Sequence, residues 1–321
     1  MTVTDTKTPI YFDTDLGVDD AMALAYLLAT PEIEIKGIGT VSGNCSAERA
    51  ARNTLDLLGL ADRLDLPVAV GYHDWLARPF DGGSPEVQGA NGIGGVELPT
   101  AAAEPIDEHA VDMLIRLAHQ HPGELRVLAV GPFTNLAAAV RTDPAIATLV
   151  DRVVVMGGAT LAPGNMTPVA EANIFHDPEA AAVVFAAPWQ ITMLGLDVTM
   201  DHQFGEADQA ALIASGRPVA GAVAAMMNEY ADFYSGVYGR RVVALHDPLA
   251  AAAACDHLAY AVAPVVNVVV DDTAGPGRGQ TIADLRGRFR GFPEQPGAHT
   301  RVVLGLDRPF APMLLERILS L

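Results

Sequence analysis

The chain has 321 residues, half of them hydrophobic, and a formal net charge of −19 at pH 7. That size and apolar content suit a single large α/β unit spanning residues 1–321, while the negative charge argues against nucleic-acid phosphate as a partner. The only lysines are Lys7 and Lys36, which rules out a P-loop and speaks against Schiff-base chemistry.

Short β-branched runs alternate with longer alanine- and leucine-rich stretches, the pattern of an α/β fold: a mostly parallel central sheet with helices on both faces. In chain order, strands are expected at 9–12, 33–41, 67–70, 125–130, 152–156 and 191–196. Helices are expected at 20–29, 47–60, 110–119, 136–141, 178–186 and 219–234, with another opening at Leu245-His246-Asp247-Pro248. An apolar run at 262–270, a segment at 301–306 and a helix at 313–319 complete the chain, and no internal repeat is found. Lys36, in the run Glu32-Ile33-Glu34-Ile35-Lys36, is expected at a solvent-edge strand position. Two stretches break the alternation: 71–105, rich in Gly, Pro and Asp, and 273–299, rich in Gly and Arg. Loops of that length are functional lids or disordered segments; the second reads as a surface excursion.

Cys45 and Cys255 are the only cysteines and lack zinc-ligand spacing, so a disulfide framework is excluded and a reduced cytosol fits. Residues Met1 to Pro9 are polar, without a signal core. The alanine-rich apolar stretches, such as Pro248 to Cys255, are well short of a membrane span. A soluble cytoplasmic protein with no membrane or nucleic-acid partner is expected. Two glycosylation sequons, at Asn44 and Asn165, carry no meaning in that setting.

The densest chemical signal is Asp13-Thr14-Asp15-Leu16-Gly17-Val18-Asp19-Asp20, four carboxylates between the first strand and the first helix. Open α/β sheets bind ligands at that edge. An N-cap role explains Asp19 and Asp20 by themselves, but not Asp13 and Asp15 as well. So many charges on one turn repel unless a divalent cation joins them. Polar residues recur at later strand ends: Ser42-Gly43-Asn44, Gly131 to Asn135, Gly157-Gly158, Asn165 through Asn173, and His246-Asp247. A lone asparagine there forms a turn; amides and carboxylates repeated along one edge point to a ligand with many hydroxyls, such as a sugar. His246 is either a partial helix cap or an acid–base group. Tyr230, Phe233, Tyr234 and Tyr238 have helical spacing, which by default means core packing, with an aromatic wall for a flat base as the minority reading.

These motifs, together with Thr40-Val41-Ser42-Gly43-Asn44, Met156-Gly157-Gly158 and Asp177-Pro178-Glu179-Ala180-Ala181, resemble the inosine–uridine-preferring nucleoside hydrolase family in order along nearly the whole chain. The resemblance implies a mostly parallel sheet with one calcium ion at the floor of the site, and hydrolysis of a small-molecule ribonucleoside to ribose and a free base. It assigns calcium to Asp15, Asp20, Asp247 and the carbonyl of Val130, and ribose to Asp19, Asn44, Asn165, Glu171 and Asn173, with Asp247 also facing substrate. Asp15 would be the general base and His246 would assist the departing base. A homodimer or homotetramer is implied too. One departure stands out: where the family commonly has Val-His-Gly, this chain has Val87-Gln88-Gly89, and glutamine cannot act as an acid. Two other classes compete. A magnesium-dependent aspartyl phosphatase would use Asp-Thr-Asp, but neither lysine is placed for a phosphate. A non-catalytic ribose- or nucleoside-binding protein would have no need of four aspartates around a metal.

Overall fold

The computed structural model describes residues 7–321, so the first six residues of the polar leader lie outside it. Strand β1 (Thr8–Thr14) is buried at every position after Thr8. A strand covered on both faces belongs in the middle of a sheet. It pairs in parallel with β2 (Ile33–Thr40) on one side, and β2 in turn with β3 (Val68–Val70). On its other side lies β4 (Arg126–Ala129), followed by β5 (Arg152–Met156) and β6 (Ile191–Leu194). The eight-stranded order is Val265–Val266, Thr300–Val303, β6, β5, β4, β1, β2, β3. Only the outermost pairing, Val265–Val266 with Thr300–Val303, is antiparallel. The chain therefore winds outward from β1 to β3 and then returns to the other side of β1. This reversal places a ligand crevice at the carboxyl ends of β1 and β4.

Helices cover both faces. On one lie α1 (Val18–Leu28), α2 (Ala47–Leu60), and the helices Pro218–Tyr238, His246–Ala254 and Ala311–Ser320. On the other lie Ala110–Gln120, Thr134–Thr142 and Pro178–Ala186. α1 packs directly on His246–Ala254, and both contribute fully buried alanines: Ala21, Ala23 and Ala25 from one, Ala250 to Ala252 from the other. Side chains this small let two helices approach closely. Their N-termini, bearing Asp19-Asp20 and His246-Asp247, arrive at the same edge of the sheet.

Lys36 sits on the part of β2 that β3, paired only with Ile38–Thr40, does not reach; it is the residue skipped where the β1–β2 register shifts, and it pairs with Glu34 at 2.7 Å. Two expectations change. The run 262–270 is broken into Tyr260–Val262, Val265–Val266 and Val268–Val270; Pro264, which has no N–H to donate, sits at the first break. The stretch 273–299 is more than an excursion. Thr281–Ala283 pairs with Val268–Val270, Arg278 holds Glu179 at 2.8 Å, and the Thr281 hydroxyl both donates to the Ala159 carbonyl and accepts from its N–H. It thereby braces the turn after β5.

The other long stretch, 71–105, is stapled down. Trp75 Nε1 donates to the Ser42 carbonyl at 2.9 Å and its ring stacks on His176. The Arg78 guanidinium lies 4.4 Å over the Trp75 ring and donates to the carbonyls of Phe175 and His176. A short helix, α3 (Pro85–Gln88), then brings Gln88 to the start of α1.

Candidate active site

The turn from β1 into α1 is built from its own carboxylates. Asp20 accepts from the Thr14 hydroxyl at 2.5 Å, from the Gly17 N–H at 2.8 Å and from Asn44 Nδ2 at 3.2 Å. Gly17 is required by space, since a Cβ there would lie 2.5 Å from Asn44 Nδ2. Asp15 Oδ2 accepts from the Asn44 N–H at 2.6 Å, whereas its Oδ1 is buried without a hydrogen-bond partner among the described residues. Oxygens of Asp19, Asp20 and Asp247 all lie within 4.8 Å of one another. Burial, reinforced by Asp20, raises Asp19 to about 7 and pushes Asp15 well up; burial, with Asp19, Asp20 and Asp15 nearby, does the same to Asp247. The two helix N-termini offset part of that repulsion. Hard oxygen donors at such spacing are of the kind that suits a divalent cation.

Asp13 takes no part. It is fully buried, accepting from the Tyr11 hydroxyl at 2.8 Å and from Asn135 Nδ2 at 3.0 Å. Tyr11 and Asp13 share a strand face, and it packs on the opposite helical layer. Asn135 also donates to the Thr40 carbonyl and accepts from the Tyr72 N–H, so Asp13 orients the start of the 71–105 stretch.

One side of the cavity comes from the ends of β4 and β5. Glu171 caps the short helix Ala172–His176 by accepting from the N–H groups of Asn173 and Ile174, and it also holds the Gly158 N–H at 2.9 Å. Gly158 has φ +88, a conformation suited to glycine. Asn173 Nδ2 donates to the Val130 carbonyl at 2.7 Å and to that of Met156 at 3.1 Å. Asn165 lies on a loop pinned by one carboxylate: Asp197 accepts from the N–H groups of Thr160, Leu161 and Ala162 and from the Thr160 hydroxyl.

The opposite wall is aromatic. Tyr230, Phe233 and Tyr234 from the helix Pro218–Tyr238 line the cavity, while Tyr230 and Tyr234 are at the same time buried in the core, as the spacing predicts. Tyr234 is within 2.5 Å of His246 Nε2, while Thr199 Oγ1 is 2.7 Å from Nδ1. Burial lowers His246 to about 4, so its ring is neutral near pH 7, held between these two hydroxyls.

The cavity encloses about 540 Å³, enough for a small-molecule ligand. Asp19, Asn44, Val130, Asn165, Glu171, Asn173, His246 and Asp247 all line it, with Asp15 and Asp20 packed against those residues. Sequence reasoning missed Thr199, Asp197 and Met200. Asp197 had a usable signal, because it follows β6 as the other polar groups follow their strands; Thr199 and Met200 had none.

A doubly wound sheet carrying a carboxylate-floored, aromatic-walled cavity at its strand ends defines an α/β protein with a small-molecule site. The chain belongs to the inosine-uridine preferring nucleoside hydrolase family, whose model matches residues 10–311. It is similar to uridine nucleosidase 1 of Arabidopsis thaliana, 39% identical over 247 residues that span 75% of this chain and 71% of that protein. Among solved structures, the plant nucleoside hydrolase PpNRh1 superposes with a TM-score of 0.90 at 32% identity, covering 98% of this chain and 99% of that one. The purine-preferring ribonucleoside hydrolase from Gardnerella vaginalis gives 0.88 at 31% identity, covering 97% of each. The family's general chemistry, hydrolysis of the N-glycosidic bond of ribonucleosides, is thus this chain's chemistry. No described helix is long and apolar enough to cross a membrane.

Proposed function

We propose that this enzyme is calcium-dependent, with Asp15, Asp20, Asp247 and the Val130 carbonyl holding the ion. The observation that carries this reading is the partnerless buried oxygen of Asp15 beside three converging carboxylates. A donor set made only of oxygens suits calcium. When bound, the ion would supply positive charge that favours deprotonation of the attacking water.

The rest is the work of the protein's own groups. Asp15 takes the proton of the water as general base. Cleavage of the N-glycosidic bond builds positive charge on the ribose, as in other glycoside hydrolyses. Asp19, Asn44, Asn165, Glu171, Asn173 and Asp247 hold the sugar and place negative charge and amide dipoles around it. The base departs along the aromatic wall, where His246 and Tyr234 donate a hydrogen bond or proton to it. The name of the Arabidopsis relative makes uridine the first nucleoside to test. The test is release of ribose from a panel of ribonucleosides; release from none, or phosphate release from a phosphoester instead, overturns the reading. The working form we propose is a cytoplasmic homodimer or homotetramer, to be checked by the mass of the native particle.

His246→Ala is expected to slow natural nucleosides strongly while sparing p-nitrophenyl riboside, whose nitrophenolate leaves without an acid. The ratio of kcat/KM for the two substrates measures this. Equal slowing of both would mean that His246 serves the sugar or the cation site rather than the leaving base.

A further inference from the structure

Gln88, where the resembled family commonly has histidine, is 4% exposed and lines the cavity. Its Oε1 accepts from the Val18 N–H at 2.8 Å, and its Nε2 donates to Asp19 Oδ1 at 3.3 Å. Chemistry fixes this orientation: a backbone N–H demands the amide oxygen, which leaves the NH₂ group for the carboxylate. Val18 opens α1, and the first N–H groups of a helix have no partner within it. Gly17, at the N-cap, has no side chain to provide one. Gln88 does so from 70 residues away, and a Cβ on Gly17 would fall 2.8 Å from its Oε1. Gln88 is itself held: its N–H donates to the Ser84 carbonyl at 2.9 Å, and its carbonyl accepts from the Gly94 N–H at 2.7 Å. Beyond it, Asn53 Nδ2 donates to the Asn91 carbonyl.

We propose that Gln88 is a positioning residue: it caps α1 across space and fixes the orientation of Asp19 toward the sugar, so that its effect on the reaction runs through Asp19. The proposal rests on the ribose-binding role given to Asp19 above. Each polar end of Gln88 makes one bond to the protein, Oε1 from the Val18 N–H and Nε2 to Asp19, and these two bonds tie the side chain to the start of α1 and to the sugar-side carboxylate.

Gln88→Glu keeps the shape and the acceptor for Val18 but turns the donor to Asp19 into a like charge. In Asp19→Asn/Gln88→Glu the amide and the carboxylate exchange places, and the hydrogen bond re-forms in the opposite sense. Ribose affinity by calorimetry and kcat/KM for uridine and inosine are measured for wild type, both single variants and the double variant. Gln88→Glu is expected to weaken ribose binding by about tenfold, the loss of one charge-assisted hydrogen bond. It should lower kcat/KM for the two nucleosides by a common factor. The double variant should bind ribose more tightly than the product of the single losses predicts. A changed uridine-to-inosine ratio with unchanged ribose affinity would show that Gln88 reads the base and would overturn the proposal. Strictly multiplicative losses, wild-type ribose affinity in Gln88→Glu, or no ribose binding by the wild type would overturn it as well. Because ribose binding is read without turnover, a wild type that binds ribose but cleaves no nucleoside would defeat the hydrolase reading and leave this test intact.

Discussion

Asp15→Asn is expected to lower turnover of a ribonucleoside by about 10²- to 10⁴-fold, the range of a positioned general base. The substitution keeps size and shape, and the amide oxygen can still accept from the Asn44 N–H that Asp15 now holds at 2.6 Å. What changes is the atom at the partnerless Oδ1 position, where an acceptor able to take a proton is replaced either by an amide donor or by a non-basic oxygen. Stability should move the other way. Burial and Asp20 both disfavour the charged form of Asp15, so removing that charge should leave the melting temperature in chelator equal or higher. Function bought at the expense of stability is common at such sites. Single-turnover rates with thermal melting check both halves. Near-normal turnover removes Asp15 from the role of base.

A 2′-deoxyribonucleoside is expected to react about 10⁴-fold less efficiently than its ribonucleoside, because a site built to hydrogen-bond a hydroxyl rejects the analogue lacking it. Asp19 and Asn173 are 4% and 7% exposed. Gln88 satisfies one Asp19 oxygen and the Val130 and Met156 carbonyls satisfy the Asn173 amide nitrogen. Both side chains line the cavity, Asp19 with a further hydrogen bond from Tyr230, and in the proposed arrangement each also accepts from a ribose hydroxyl. A missing hydroxyl leaves such an acceptor buried and short of its donor. The comparison is kcat/KM for uridine against 2′-deoxyuridine, and equal values contradict the sugar-binding arrangement.

Much of this was legible in the sequence because the signals were local. The helices 47–60 and 178–186 fall on the expected bounds, as does the strand 152–156; their apolar periodicity and flanking turn residues agree. The helix Glu206–Ala214 gave no such signal, since Leu212 is its only buried residue and a surface helix needs no apolar stripe. Asp13 was grouped with the site because alternation along a strand does not say which face meets the ligand; only the packing of Tyr11 on the far layer separates it. The remaining gaps are contacts between distant positions. Tyr234 meets His246 only because a strand, Val242–Ala244, folds the chain back between them. Gln88 meets Asp19 across 69 residues, and no local pattern carries that pairing. The sequence showed a departure at position 88 but not that its amide bridges the Val18 N–H and Asp19.

The central claim, that clustered carboxylates hold a cation on which hydrolysis depends, is tested most directly by titrating calcium into chelated wild-type protein and chelated Asp20→Ala while following ribose release from uridine. Asp20 is fully buried and shares its oxygens with Thr14, Gly17 and Asn44 at the centre of the cluster. The account predicts that wild type binds a single calcium, loses ribose release on chelation and regains it when calcium returns, and that Asp20→Ala does neither. Full ribose release by the chelated wild type, or undiminished calcium binding by Asp20→Ala, would contradict it.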